Sequence, residues 1–268
     1  MHPETTPIIE KWYKTLQFDP KYDAEFYQAL RTISISPDTS IDTYSIFCED
    51  GKQNLLAFLY MCEGLEKAYA AQNIDRQILL DSLQDIVIWC NVWSKVKGQL
   101  YLGELHWLER TFRMRMYRLG RLQFCIDTAD ENVTQFGFAL GEKYLGVHIP
   151  AGGPMDMGEC QKSFAMAREF FAKYYPDMEY RWFSCFSWLL DDTLQQFLPP
   201  ESNILQFAGM FSVVEKKKAD DIIRFMFGWD TTRAQVEQWQ CRSSFAKAIQ
   251  QAIREGTVFY EVRGLMPK

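Results

Sequence analysis

Residues 142–197, EKYLGVHIPAGGPMDMGECQKSFAMAREFFAKYYPDMEYRWFSCFSWLLDDTLQQF, decide the fold. Tyr144 to Ile149 is a short apolar run that ends in the loop Pro150-Ala151-Gly152-Gly153-Pro154. Cys160, Phe164, Ala167, Phe171 and Tyr174 follow three or four residues apart, as one face of a helix requires. Pro176-Asp177 closes that helix, and the aromatic-rich run Tyr180 to Leu190 predicts a second strand. The order is strand, glycine loop, helix, strand. Such a unit, with a ligand at the carboxyl end of its first strand, is the usual design for holding a phosphate-bearing cofactor.

Upstream of this unit the pattern is helical to about residue 120. Helices are expected around Ile8, Trp12 and Leu16, around Phe26 and Leu30, and over Gln53 to Ala71. Ser34 to Ser45 is a Ser/Thr/Pro/Asp loop. Asn73 and Asp75 are caps for a helix with the stripe Leu79, Leu83, Ile86 and Trp93, and Gly98 breaks it. Glu104 to Gly120 is expected as one more helix, with Leu105, Leu108, Phe112, Met116 and Leu119 along one side. Arg110, Arg113, Arg115, Arg118 and Arg121 fall mostly on its other side, either a solvated face or an anion site.

From Leu122 the period becomes two. Leu122 to Asp127 and Val133 to Phe138 alternate and, with Tyr144 to Ile149, predict an antiparallel meander. Beyond the central unit, Asp191-Asp192 caps a short helix through Phe197, and Asn203 to Val214 is expected as a strand before a basic turn at Lys216-Lys217-Lys218. Ala219 to Phe227 and Arg233 to Glu255 are helical patterns, and Val258 to Arg263 is a closing strand. The fold class is therefore α+β: an all-helical N-terminal domain over residues 1–120 and a mixed-sheet domain over residues 121–268.

Composition narrows the partners. With 47% hydrophobic and 15% aromatic residues the chain can bury a sizeable core. Its net charge of −6 argues against nucleic acid or an anionic membrane surface. No apolar run approaches the roughly 18 residues of a spanning helix. The start, MHPETTPIIEKW, lacks the basic and apolar regions of a signal peptide, and seven scattered cysteines without a CxxC pair suit reduced thiols, so a cytoplasmic location is expected. Three histidines without ligand-spaced partners argue against a metal site.

The strings YRLGRLQF (117–124), GVHIPAGGPMD (146–156), SWLLDD (187–192) and LPPESNILQF (198–207) resemble a family of bacterial acyltransferases. Its members join a helical N-terminal domain to a C-terminal domain of the GNAT acyltransferase fold. The resemblance implies acetyl-CoA or another acyl-CoA as co-substrate and a small-molecule amine as acceptor, acylated by direct attack on the thioester. It places the pantetheine arm along Val147 and Ile149, and the pyrophosphate near Ala151, Gly152 and Gly153 at the start of the central helix. The superfamily's usual Gln/Arg-x-x-Gly-x-Gly/Ala loop string is absent, and Pro154 has no N–H to offer a phosphate. Asp156 with Glu159 three residues later forms a capping-box pattern that competes for the same N–H groups.

For the chemistry, His148 at the strand end is a candidate base, or else a hydrogen-bonded structural residue. Ser187 is a candidate acid for the departing thiolate. Cys185, on the same strand face, is a core thiol more readily than a nucleophile, and Trp182 and Trp188 on the other face either line a pocket or fill core. The competing expectation is a non-catalytic ligand-binding or scaffold protein that retains the fold.

Overall fold

A computed structural model describes residues 4–268. Met1, His2 and Pro3, the start of the stretch read above for a targeting signal, lie outside the described residues. The chain forms two compact units, one of residues up to Leu119 with Pro150–Gly152, the other of Gly120–Ile149 with Gly153–Lys268.

In the first unit, five helices are α1 (Thr6–Thr15), α2 (Asp23–Thr32), α3 (Gly51–Ala71), α4 (Arg76–Lys97) and α5 (Leu105–Phe112). Leu55, Leu56, Ala57, Phe58 and Leu59 are all fully buried, so α3 is apolar on every side over this stretch and forms the axis of the unit. Asp50 starts it by accepting the N–H groups of Lys52 and Gln53, and Asp75 starts α4 in the same way through Gln77. Around this axis Tyr13 stacks on Phe26 at 3.6 Å, and Phe58 meets the edge of Phe112 at 5.0 Å.

The helix expected to run to Gly120 stops at Phe112. Met114 sits in the left-handed region at φ 52°, and the chain then extends as β1 (Met116–Leu119). Met116 and Tyr117, adjacent in sequence, are both fully buried in this strand. The five arginines therefore never share one helix face. Arg110 lies over the Trp107 ring, and Arg113 pairs with Glu109 and Asp42.

The second unit is built on strands β2 (Leu122–Thr128), β3 (Lys143–His148), β4 (Trp182–Ser187), β5 (Ser212–Lys218) and β6 (Tyr260–Pro267), in the order β2-β3-β4-β6-β5. Only β3 and β4 are parallel, joined through the 18-residue helix α7 (Met157–Tyr174). Phe164 of α7 packs between Phe124 of β2 and Phe183 of β4, which fixes the covered face of the sheet.

Three more expectations are corrected. Val133 to Phe138 forms no strand, because Asp130 caps the short helix α6 (Glu131–Thr134) and Gly137 turns at φ 95°. Asn203 to Val214 is not continuous strand, since Ser202 caps helix α8 (Asn203–Ala208) and β5 then runs through the three lysines expected to turn. The last helical pattern, which follows α9 (Asp221–Phe227), is split into α10 (Arg233–Val236) and α11 (Ser244–Arg254). Gln250 fills the break by donating to the carbonyls of Val236 and Trp239 at 2.7 and 2.8 Å. These helices close over a core of Ile222, Ile223, Phe227, Ile249, Ile253 and Phe259.

Candidate active site

At the carboxyl end of β3 the sheet changes character. The β3–β4 ladder runs through Leu145↔Phe183 and Gly146↔Ser184 and stops at Val147↔Cys185. Both strands go on. His148 is still paired with Gln123 on β2, while Phe186 and Ser187 are paired with Arg263 and Val262 on β6. Two parallel strands thus part at the level of His148, each held by its outer neighbour.

The alternation of side chains sorts the residues onto two faces. Val147, Cys185 and Ser187 share the face that α7 covers, Val147 and Cys185 being buried there. His148 shares the opposite face with Gly146, Ser184, Gln123, Cys125 and Asp127. The structure therefore does not bring His148 and Ser187 onto one face. The Ser187 hydroxyl accepts the Leu189 N–H at 3.2 Å and caps the helical turn Trp188–Leu190, leaving its own proton for another acceptor.

Gly146 shows why this face matters. The position a Cβ would take there is 2.5 Å from Asp127 Oδ2 and 3.3 Å from His148 Nε2. The missing methyl lets a carboxylate lean across β3 toward the imidazole, and the two atoms are separated by no more than the sum of those distances. His148 Nε2 is buried while the residue as a whole is half-buried. Cys125 Sγ lies 3.5 Å from Asp127 Oδ1 on the same face. Ser184, 3% exposed, keeps an Oγ with no hydrogen-bond partner among the described residues. Sequence reading missed Asp127, Gly146 and Ser184. The alternation in LQFCID and the glycine two residues before His148 were the signals, but only the β2–β3 register joins them.

The glycine loop is ordered by an arginine. Arg121 Nε and Nη2 donate to the carbonyls of Pro154 and Gly153 at 2.8 and 2.9 Å. Gly152 takes φ 101°, a conformation L side chains avoid. Ala151, Gly152 and Gly153 are exposed, and Ile149 is half-buried. Asp156 caps α7 by accepting the Glu159 N–H at 2.9 Å, half of the anticipated capping box. The Glu159 carboxylate pairs instead with Lys162 at 2.6 Å.

Cys185 is fully buried, which pushes its thiol up to about 12 and removes it as a nucleophile near neutrality. Trp182 and Trp188 both pack against hydrophobic clusters. Among the described residues no group of three or more His, Cys, Asp or Glu is placed to hold a metal ion, and no helix is long and apolar enough to cross a membrane.

Residues 116–266 match the GNAT-like C-terminal domain, and residues 2–114 match the N-acyltransferase N-terminal domain. Among solved structures, an acyltransferase in complex with decanoyl-CoA is similar with a TM-score of 0.71 and 27% identity over 79% of this chain. The acyltransferase in complex with decanoyl-CoA and teicoplanin gives 0.71 and 25% over 80%. This chain spans 64% and 66% of those two chains, just under two-thirds. A complex with CoA and 10C-teicoplanin has a TM-score of 0.78 at 20% identity, over 96% of this chain and 87% of that one, a likeness of fold. No curated protein matches.

Proposed function

Because this chain belongs to the GNAT-like C-terminal domain family and carries an N-acyltransferase N-terminal domain, we propose that it is an N-acyltransferase, moving the acyl group of an acyl-CoA directly onto a small-molecule amine. The observation that carries the reading is the end of the β3–β4 ladder at Val147↔Cys185, one residue before a histidine whose Nε2 borders the Gly146 Cβ position together with the Asp127 carboxylate. Acyl-CoA bound by the structural neighbours supports the donor, and teicoplanin in two of them supports a small-molecule acceptor.

In this reading the pantetheine arm lies along Val147 and Ile149 where the strands part. The phosphates lie near Ala151, Gly152 and Gly153, whose turn Arg121 braces. The amine nitrogen adds to the thioester carbonyl to give a tetrahedral intermediate, whose collapse breaks C–S. His148 takes the amine proton, and Asp127 orients the imidazole and stabilises its charge, acting as a positioning residue. Nε2, buried beside Gly146, leaves Nδ1 to meet the amine. Ser187, whose oxygen already accepts the Leu189 N–H, gives its proton to the CoA thiolate and regains one from solvent. The products are an amide and free CoA.

The test is thiol release from decanoyl-CoA with a panel of primary amines. His148→Ala should lower turnover roughly 10²–10⁴-fold with little change in decanoyl-CoA affinity. Tight binding of decanoyl-CoA with no transfer to any amine would favour the non-catalytic ligand-binding protein. No thermal stabilisation by CoA thioesters of any length would remove the acyl-CoA reading altogether.

A further inference from the structure

Gln123 is the β2 residue directly opposite His148, on the same face of the sheet. Directly opposed residues of an antiparallel pair have Cβ atoms about 4.5–5.5 Å apart, so amide and imidazole are neighbours. Gln123 is 1% exposed, and its Nε2 has no hydrogen-bond partner among the described residues. An amide held this way is costly, because its hydrogens have given up water and gained nothing in return. A leucine or methionine would fill the same space without that penalty.

Position explains what the amide is for. Down β2 from Gln123, on the same face, come Cys125 and then Asp127, whose carboxylate leans toward His148 over Gly146. The imidazole thus shares its face of the sheet with a carboxylate at Asp127 and an unused N–H donor at Gln123. Gln123 also stands at the level where β3 and β4 have stopped pairing.

We propose that the Gln123 amide is the hydrogen-bond donor for the thioester oxygen, gaining strength as that oxygen becomes negative in the tetrahedral intermediate. This rests on the acyl-CoA reading above and adds a second catalytic side chain to it. The arrangement separates charge in the order the reaction needs. Asp127 faces the imidazole that becomes cationic, and Gln123 faces the oxygen that becomes anionic.

The test uses two unreactive probes, S-(2-oxododecyl)-CoA, which keeps a carbonyl, and S-dodecyl-CoA, which lacks one. Wild-type protein should bind the ketone roughly tenfold more tightly, the worth of one good hydrogen bond to a buried donor. Gln123→Met should erase that preference while melting no lower than wild type, since it removes an unpartnered amide. Gln123→Glu, of the same shape, should reverse the preference by setting a carboxylate against the ketone oxygen. A preference that survives in the Met variant overturns the proposal, as does a wild type that does not distinguish the probes. A Met variant that binds both probes normally but melts well below wild type identifies a structural amide and overturns it too. If neither probe binds wild type, the acyl-CoA reading fails and this proposal fails with it, a result distinct from the others.

Discussion

The sharpest prediction concerns Gly146→Ala. The added methyl would sit 2.5 Å from Asp127 Oδ2 and 3.3 Å from His148 Nε2. A carbon and an oxygen normally approach no closer than about 3.3 Å, so the carboxylate must retreat by on the order of 1 Å. A misplacement of that size at a reacting centre can lower the rate about 100-fold. The stability loss should be smaller, about 1–3 kcal/mol for overpacking, partly offset by roughly 0.4–1 kcal/mol from the less flexible unfolded chain. Turnover of decanoyl-CoA with an amine, decanoyl-CoA affinity and melting temperature should be measured together. We expect kcat to fall about 100-fold with affinity nearly unchanged. In an Asp127→Ala background the clash is gone, so adding Gly146→Ala should then have little further effect on kcat. A silent Gly146→Ala, or an equal loss in both backgrounds, would mean that the Asp127 carboxylate does not act on His148 across Gly146.

Other outcomes follow from single contacts. Arg121→Ala releases the carbonyls of Gly153 and Pro154 and should weaken acyl-CoA binding about tenfold; calorimetric titration checks this. Cys185, its thiol pushed up to about 12 by burial, should resist iodoacetamide in the native protein, and Cys185→Ala should retain turnover. Burial and then the neighbouring Asp221 raise the Glu261 carboxyl above its ordinary value. Its folded-state pKa exceeds the unfolded one, so the group favours folding when protonated, and that contribution is lost as pH rises through the folded value. Glu261→Gln should therefore melt above wild type at neutral pH, with the gain fading toward the ordinary carboxylate range of about 4; melting curves across pH read it directly.

What was legible in the sequence was local. The spacing from Cys160 to Tyr174 located α7, the Asp75 cap marked where α4 begins, and the run into the glycine loop located β3. Elements failed where tertiary contacts overrode a local pattern. The leucine and methionine spacing through Leu119 imitated a helix, yet Met116 and Tyr117 are buried in strand β1. Lys216, Lys217 and Lys218 resembled a turn but form β5 opposite Val262, Glu261 and Tyr260 of β6. His148 stood out because it ends a strand at a glycine loop. Asp127 and Gln123 did not, because their meaning depends on the β2–β3 register, which residue spacing alone does not give.

Acyl-CoA should thread the parting of β3 and β4 and present its thioester to His148. A crystal structure with S-(2-oxododecyl)-CoA tests it most directly. The sulfur should lie between the backbone of Val147–Ile149 and that of Cys185–Ser187, with the ketone oxygen on the face that carries His148. Cofactor bound elsewhere, with β3 and β4 closed together beyond Val147, would contradict it.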